Sequence, residues 1–216
     1  LFMKPSKQND IESLGLGHLN MIYMALEIVE YEMNRTRELI NIMIIEEPEA
    51  HIHTHIQRTL FDKLKVTKDY TQIITTTHST HLAEVSEIKN VNVLKSIDNK
   101  SISMQPSKGL DEFGKENLKL KNLTLSECVE RYLDAKRSVL LFSKGVILVE
   151  GDGEEILIPN MIRKALGVSL DELGIGLVNV GSVSFEYIAS LFGEERINRS
   201  CAIITDEDVQ IVEKSS

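Results

Sequence analysis

Residues 145–158 read GVILVEGDGEEILI, and this break in an aliphatic run limits what the chain can fold into. An unbroken stretch of β-branched and aliphatic residues is the mark of a strand buried on both faces of a parallel sheet. Here the stretch gives way to Glu150, Gly151, Asp152, Gly153, Glu154 and Glu155 before apolar residues resume. Acids packed around two glycines repel one another, so their gathering at the mouth of a buried strand asks for a cation. Sheets of this kind collect their functional groups beyond the carboxyl ends of the strands, which is where this break falls.

The surrounding pattern predicts an α/β chain built twice over. HLNMIYMALEIVEYEMNRTREL carries apolar residues at helical spacing, with Met21, Met24, Leu26 and Ile28 as core candidates. INIMIIEE reads as a strand ending in two acids, AHIHTHIQRTLFDKLK as a helix, TQIITTTHS as a second strand and THLAEVSEI as a short helix. Strand, helix, strand in that order implies parallel pairing with helices as cover. NVNVLKSIDNKSISMQP turns at Asp98-Asn99-Lys100 as a β-hairpin closing this first domain. The polar SKGLDEFGKENLKLK marks a boundary, and LSECVERYLDAKRSVLLF is an amphipathic helix leading onward. After it, GVILVE, EEILIPNMIRKALG, GLVNVG, SFEYIASLFG and CAIITDED alternate as βαβαβ. The expected division is residues 1–106, a linker and connecting helix at 107–143, and a second domain at 144–216.

Composition bounds the function. The net charge of -9 excludes a broad basic face for nucleic acid, so any DNA contact must be local or come from elsewhere. Cys128 and Cys201 stand far apart with no metal-ligand spacing, which fits a reducing compartment, and the cytoplasm is expected. No stretch reaches the roughly 18 uncharged apolar residues of a membrane span, and the start LFMKPSKQND lacks a signal-peptide pattern. Opening on Leu and not Met reads as an interior piece. His51, His53 and His55 alternate without a neighbouring cysteine, and packing or loop hydrogen bonds are the expectation ahead of zinc.

Parallel strands would bring Glu150 together with Asp206, which ends a later strand. Glu154 falls in the first helical turn after Glu150, and Asp208 follows Asp206 at the spacing that projects both to one side of an extended chain. Such hard oxygen donors suit Mg²⁺ or Mn²⁺, whose use is phosphoryl chemistry. The bland alternative is that these acids cap helices and face solvent. FSKGVILVEGDGEEILIP followed by IITDED resembles a Toprim domain, the metal-dependent fold of primases, topoisomerases and a class of nucleases. Its variant with VEG, a second glutamate and a preceding helix like ERYLDAKRSVLLF is similar to the overcoming-lysogenization-defect (OLD) nucleases, which include the Gabija A protein and retron-linked effectors. The resemblance implies Glu150, Glu154, Asp206 and Asp208 as catalytic metal ligands, in a Toprim domain of which this chain holds the N-terminal portion.

INIMIIEEPEAHIH has the form of a Walker B strand, with Glu46 holding the Mg²⁺ water shell and Glu47 as general base. TTTHS sets His78 just past the neighbouring strand, within reach of a γ-phosphate, and SLGLG before a helix offers backbone N–H groups and a helix dipole to phosphate. This set resembles the ABC-type ATPases, in the form found in OLD proteins. By that resemblance Ser13, Gly15 and Gly17 belong to the signature motif closing over ATP on a partner protomer, and His78 is the switch histidine. No Gly-x-x-x-x-Gly-Lys-Ser/Thr loop occurs in the 216 residues, so this chain alone is expected to be inactive as an ATPase, the loop lying upstream.

The resemblance implies an ATP-regulated DNA endonuclease in anti-phage defence, working as a homodimer or larger homo-oligomer, with a helicase or a retron as its companion. An ATP-switched sensor or scaffold whose Toprim fold binds a partner without cutting is the alternative, and the sequence leaves both open.

Overall fold

A computed structural model describes residues 14–64, 71–81, 86–118, 120, 123–133, 137–181 and 185–206. The chain forms two compact units, Leu1–Val85 and Ser86–Ser216. Ser13 and Asp208 lie outside the described residues, as do residues 82–85 of the short helix expected after the second strand.

In the first unit, helix α1 (Leu16–Asn34) precedes strand β1 (Asn41–Glu46), helix α2 (Thr54–Leu64) and strand β2 (Thr71–Thr76). The two strands pair in parallel, from Asn41 opposite Thr71 to Glu46 opposite Thr76. Met24, Ile45, Ile52, Phe61 and Leu64 form the core, with Met21, Ile28, Met43 and Ile73 packed against it. Side chains alternate along a strand, so Met43 and Ile45 turn inward while Ile42, Ile44 and Ile74 stay exposed. The helical cover expected over the strands is present on one face among the described residues. Leu26, expected in the core, is 64% exposed. Met21, Met24 and Ile28 share a stripe at helical spacing, and Leu26 falls about 200° around from Met24.

Helix α2 begins at Thr54, four residues later than the sequence suggested. His51 has a positive φ of 64°, which an α-helix does not accommodate. His51 and His55 therefore share no helical face, and it is the rings of His53 and His55 that stack, 5.9 Å apart.

The second unit opens with the hairpin of β3 (Val93–Ile97) and β4 (Lys100–Met104). Asp98 and Asn99 both have positive φ, 50° and 58°, the geometry of the two-residue turn that matches strand twist. The hairpin, expected to close the first domain, falls by its contacts within this second unit. The polar stretch expected as a linker contains helix α3 (Leu110–Asn117), whose Leu110 is fully buried. Helix α4 (Leu125–Tyr132) follows, opened by a capping box in which Thr124 Oγ1 accepts from Glu127 N–H at 3.2 Å and Glu127 accepts in return at 2.7 Å. The long helix expected here ends at Tyr132, and a 3-10 turn at Arg137–Leu141 leads into the sheet.

That sheet contains β5 (Gly145–Val149), β6 (Ile175–Asn179) and β7 (Ser200–Ile204) in the order β6-β5-β7, all parallel. Central β5 carries Val146, Leu148 and Val149, each at most 3% exposed, which is why it reads as unbroken aliphatic sequence. Helix α5 (Asp152–Leu166) ends at Gly167 in the left-handed region, φ 75°, and a short α6 (Leu170–Leu173) that the sequence reading missed is capped by Ser169 and Glu172. Helix α7 (Phe185–Ala189) completes the set, with Ile188, Leu191 and Ile197 fully buried around it.

Gly114 shows how tightly α3 meets α4. A Cβ there would lie 2.7 Å from Leu125 Cβ and 3.1 Å from a Leu120 methyl. The substitution Gly114→Ala gains about 1 kcal/mol of helix propensity but overpacks a buried contact at a cost of about 1–3 kcal/mol. Urea denaturation is expected to show a net loss for this variant, and a gain would mean that the helix pair has room to separate.

Candidate functional sites

Each unit carries one candidate site, at the carboxyl ends of its parallel strands. In the second unit the register of β5 with β7 ends at Val149 opposite Ile204, so Glu150 and Thr205 emerge side by side. Thr205 Oγ1 donates to Glu150 Oε2 at 2.6 Å, and Asp206 follows, exposed. Glu154 is drawn back to the same point: its Oε2 accepts the Gly151 N–H at 3.1 Å, the reciprocal half of a helix cap. Asp152 Oδ1 accepts from Asn179 Nδ2 at 2.7 Å, which ties the first turn of α5 to the end of β6.

These bonds amend the argument from repulsion. Glu150, Asp152 and Glu154 each have a protein donor, so the fold has local structural reasons for acids here besides a cation. A helix N-terminus also favours negative charge in its first turn. Among the described residues, no three His, Cys, Asp or Glu side chains come together as a metal cage. The donor set nonetheless suits a hard divalent ion. Among the described residues Glu150 and Glu154 are each held through Oε2, which leaves Oε1 for another partner, and Asp206 stands one residue beyond the threonine that holds Glu150. Asn179 is the residue the sequence reading missed at this end of the sheet. It orients Asp152, accepts the Gly181 N–H at 2.8 Å through Oδ1, and offers its carbonyl to the Tyr132 hydroxyl at 3.0 Å. Its signal was an amide at a strand end, just before the positive-φ Gly181.

In the first unit Glu46 is the last residue of β1 and exposed, opposite Thr76. Glu47 lies past the strand with φ 44°, a left-handed conformation uncommon for glutamate, and its N–H donates to the Thr76 carbonyl at 3.1 Å. His78 Nε2 sits 3.4 Å from Glu47 Oε1, with 88% of its side chain exposed. The structure thus brings together the two side chains that the sequence reading assigned as base and switch. Glu49, which that reading left without a role, joins them. Its Oε1 accepts from Thr77 Oγ1 at 2.5 Å, His78 N–H at 2.9 Å and Ser79 N–H at 3.1 Å.

Burial, then a shared hydrogen bond with Glu49 and the repulsion of its charge, raises the Glu47 carboxyl above the ordinary range, with His78 working the other way. Burial also pushes Glu49 up, but the hydrogen bonds from Thr77, the backbone and Glu47 outweigh it and hold Glu49 below that range.

At the start of α1, Gly15 is exposed and extended, and its carbonyl accepts from the N–H groups of His18 and Leu19. Gly17 has a packing role: a Cβ there would meet the His51 carbonyl oxygen at 2.1 Å. The glycine is required by the approach of helix to loop, whatever else its amide does.

Residues 141–208 match the family described as overcoming lysogenization defect protein-like, TOPRIM domain, and residues 6–83 match the AAA ATPase domain. The OLD nuclease of Thermus scotoductus is 27% identical over 202 residues, covering 92% of this chain and 36% of that protein. Endonuclease GajA of Bacillus cereus is 24% identical over 215 residues, covering 91% and 31%. The chain therefore spans about a third of the length of the curated relatives it matches. A solved structure from work on ATP-driven dimerization and DNA-stimulated activation of SMC ATPases overlays with a TM-score of 0.39 at 16% identity, over 55% of this chain and 72% of that one. Among the described residues no helix is long and apolar enough to cross a membrane.

The two glutamates make a pH test with opposite signs. Glu47, raised, contributes stability that is fully present below its unfolded-state value and lost as pH rises through its folded one. Glu49, lowered, contributes stability present above its unfolded-state value and lost as pH falls through its folded one. A ¹³C carboxyl titration is expected to place Glu47 above and Glu49 below the ordinary glutamate range, and coincident midpoints would contradict the pairing.

Proposed function

We propose that this chain, which belongs to the OLD family of ATPase–Toprim nucleases, supplies the metal-binding acids of a DNA endonuclease and the hydrolytic acids of the ATPase that regulates it. One observation carries the reading: Glu150 and Asp206 leave neighbouring parallel strands at one sheet end, with Thr205 bonded to Glu150 between them. The match to an OLD-like Toprim family over residues 141–208 and the nuclease names of the relatives support it.

On this reading Glu150, Glu154, Asp206 and Asp208 hold Mg²⁺ or Mn²⁺. Such an ion, when bound, lowers the pKa of its water and neutralises phosphate charge. The chain's own part is orientation. Thr205 fixes the Glu150 carboxylate, the Gly151 amide fixes Glu154, and Asn179 anchors the turn that carries Asp152 and Gly153. Gly153 has open space where a Cβ would stand, which leaves room for a phosphate to approach the backbone.

In the other unit Glu47 accepts the proton of the water that attacks ATP, Glu46 holds the Mg²⁺ water shell, and His78 senses the γ-phosphate. By the family resemblance Ser13, Gly15 and Gly17 belong to the signature motif that closes over nucleotide on a second copy, so the working protein is a homodimer or larger assembly. Nucleotide state then controls cutting, in a cytoplasmic protein of anti-phage defence. On this reading the ATPase acids belong to the unit of residues 1–85 and the nuclease acids to residues 144–216 of the other.

A sensor or scaffold without cleavage is favoured by the local bonds of Glu150, Asp152 and Glu154, which give these acids work without metal. Plasmid cleavage by the full-length protein separates the two. Glu150→Ala and Asp206→Ala are each expected to lower the Mn²⁺-dependent cutting rate by about a hundredfold or more with ATP binding kept. Undiminished cutting by both variants would exclude these acids from the reaction.

A further inference from the structure

We propose that Glu49 is a positioning residue, clamping the loop of Thr77, His78 and Ser79 to the acids at the end of β1. The significance of the clamp for ATP turnover rests on the function proposed above, whereas the clamp itself does not.

The ladder between β1 and β2 ends at Glu46 and Thr76. Beyond it, strand pairing no longer fixes where His78 stands. The chain from β1 continues through Glu47 in a left-handed conformation and fully buried Pro48, which directs Glu49 back toward the end of β2. There a single carboxylate oxygen, Oε1, takes the Thr77 hydroxyl and the two successive amides of His78 and Ser79. Hydrogen bonds to an ionised acceptor are stronger than neutral ones, and three on one atom fix a loop of three residues. The other oxygen, Oε2, is buried and accepts from no N–H or hydroxyl among the described residues. A carboxylate is kept in such surroundings by what its other oxygen holds.

The tie continues past the loop. Ser79 Oγ lies 2.8 Å from Gln57 Oε1, and buried Gln57 donates from Nε2 to the Ile52 carbonyl at 2.9 Å. Glu49 is thus the first link in a polar chain that runs from the loop after β1, through the loop after β2, to α2. With the amide of His78 held this way, its imidazole stands 3.4 Å from Glu47. A glutamine at position 49 would keep the Oε1 acceptor for the Thr77 hydroxyl and the two amides.

Amide hydrogen exchange in the 216-residue chain, without nucleotide, tests this. In Glu49→Ala the amides of His78 and Ser79 are expected to exchange about tenfold faster or more, with Ile44 and Ile74 in the strands unchanged. Glu49→Gln should restore protection to within about threefold of the parent, as expected for a retained acceptor. Parent-like protection at His78 and Ser79 in Glu49→Ala overturns the proposal. So does an equal loss of protection throughout β1 and β2, which would make Glu49 a general stabiliser of the unit. Should the alanine variant fail to fold, Glu49→Asp decides: a carboxylate one methylene shorter cannot reach all three donors, so loss confined to the loop supports the clamp and full protection overturns it. Absence of ATP turnover in the full-length protein would count against the proposed function and leave the exchange result standing.

Discussion

Everything at the acid-bearing end of the second unit's sheet depends on β5 pairing in parallel with both of its neighbours. Parallel pairing sends all three strands out of the sheet at one edge, and in-register pairing makes their last residues adjacent. Glu150, Asn179 and Thr205 come from positions up to 55 residues apart in sequence, yet each follows or ends a strand of one in-register sheet built on buried β5. A one-residue slip of β7 would turn its side chains to the opposite face and carry Thr205 away from Glu150. The burial of Val146, Leu148 and Val149 therefore sets the geometry of the acids as firmly as any hydrogen bond among them.

The same logic shapes the first unit with fewer strands. Two parallel strands end at Glu46 and Thr76, and the loops beyond them must be placed by side chains because the backbone ladder has stopped. Acids serve that purpose well, since a carboxylate can gather several N–H and O–H donors at once. At both sites a carboxylate past a strand accepts hydrogen bonds from the segment following the paired parallel strand, Glu150 from Thr205 and Glu49 from Thr77 to Ser79. Acids at strand ends can have two uses that are not exclusive, and the structural one fixes the carboxylates that the proposed chemistry requires.

Much of this was legible in the sequence for physical reasons. Aliphatic runs closed by acids located β1 and β5, and the Asp98-Asn99 turn announced its hairpin because both residues tolerate positive φ. Where the reading failed, local composition concealed tertiary packing. SKGLDEFGKENLKLK looks like a linker because only Leu110, Phe113 and a few leucines interrupt its polar residues, but Leu110 is fully buried and Gly114 lets α3 press against Leu125. Leu26 was assigned to the core on hydrophobicity when its angular position faces it outward. Glu49 carried no signal of its own within EEPEAHIH, since its three donors lie about thirty residues away and depend on how β2 ends. Asp208, read from its spacing to Asp206, and Ser13, implied by the family resemblance, lie outside the described residues.

The central claim is that acids leaving β5 and β7 belong to one metal site. Calorimetric titration of the chain with Mn²⁺, beside Glu150→Ala and Asp206→Ala, addresses it most directly. The account predicts saturable binding that weakens by about tenfold or more in each variant, because a shared ion loses a direct ligand in both. Binding that survives unchanged in both variants, each verified as folded, would contradict it and leave Glu150 and Asp206 as acids that only fasten strand ends.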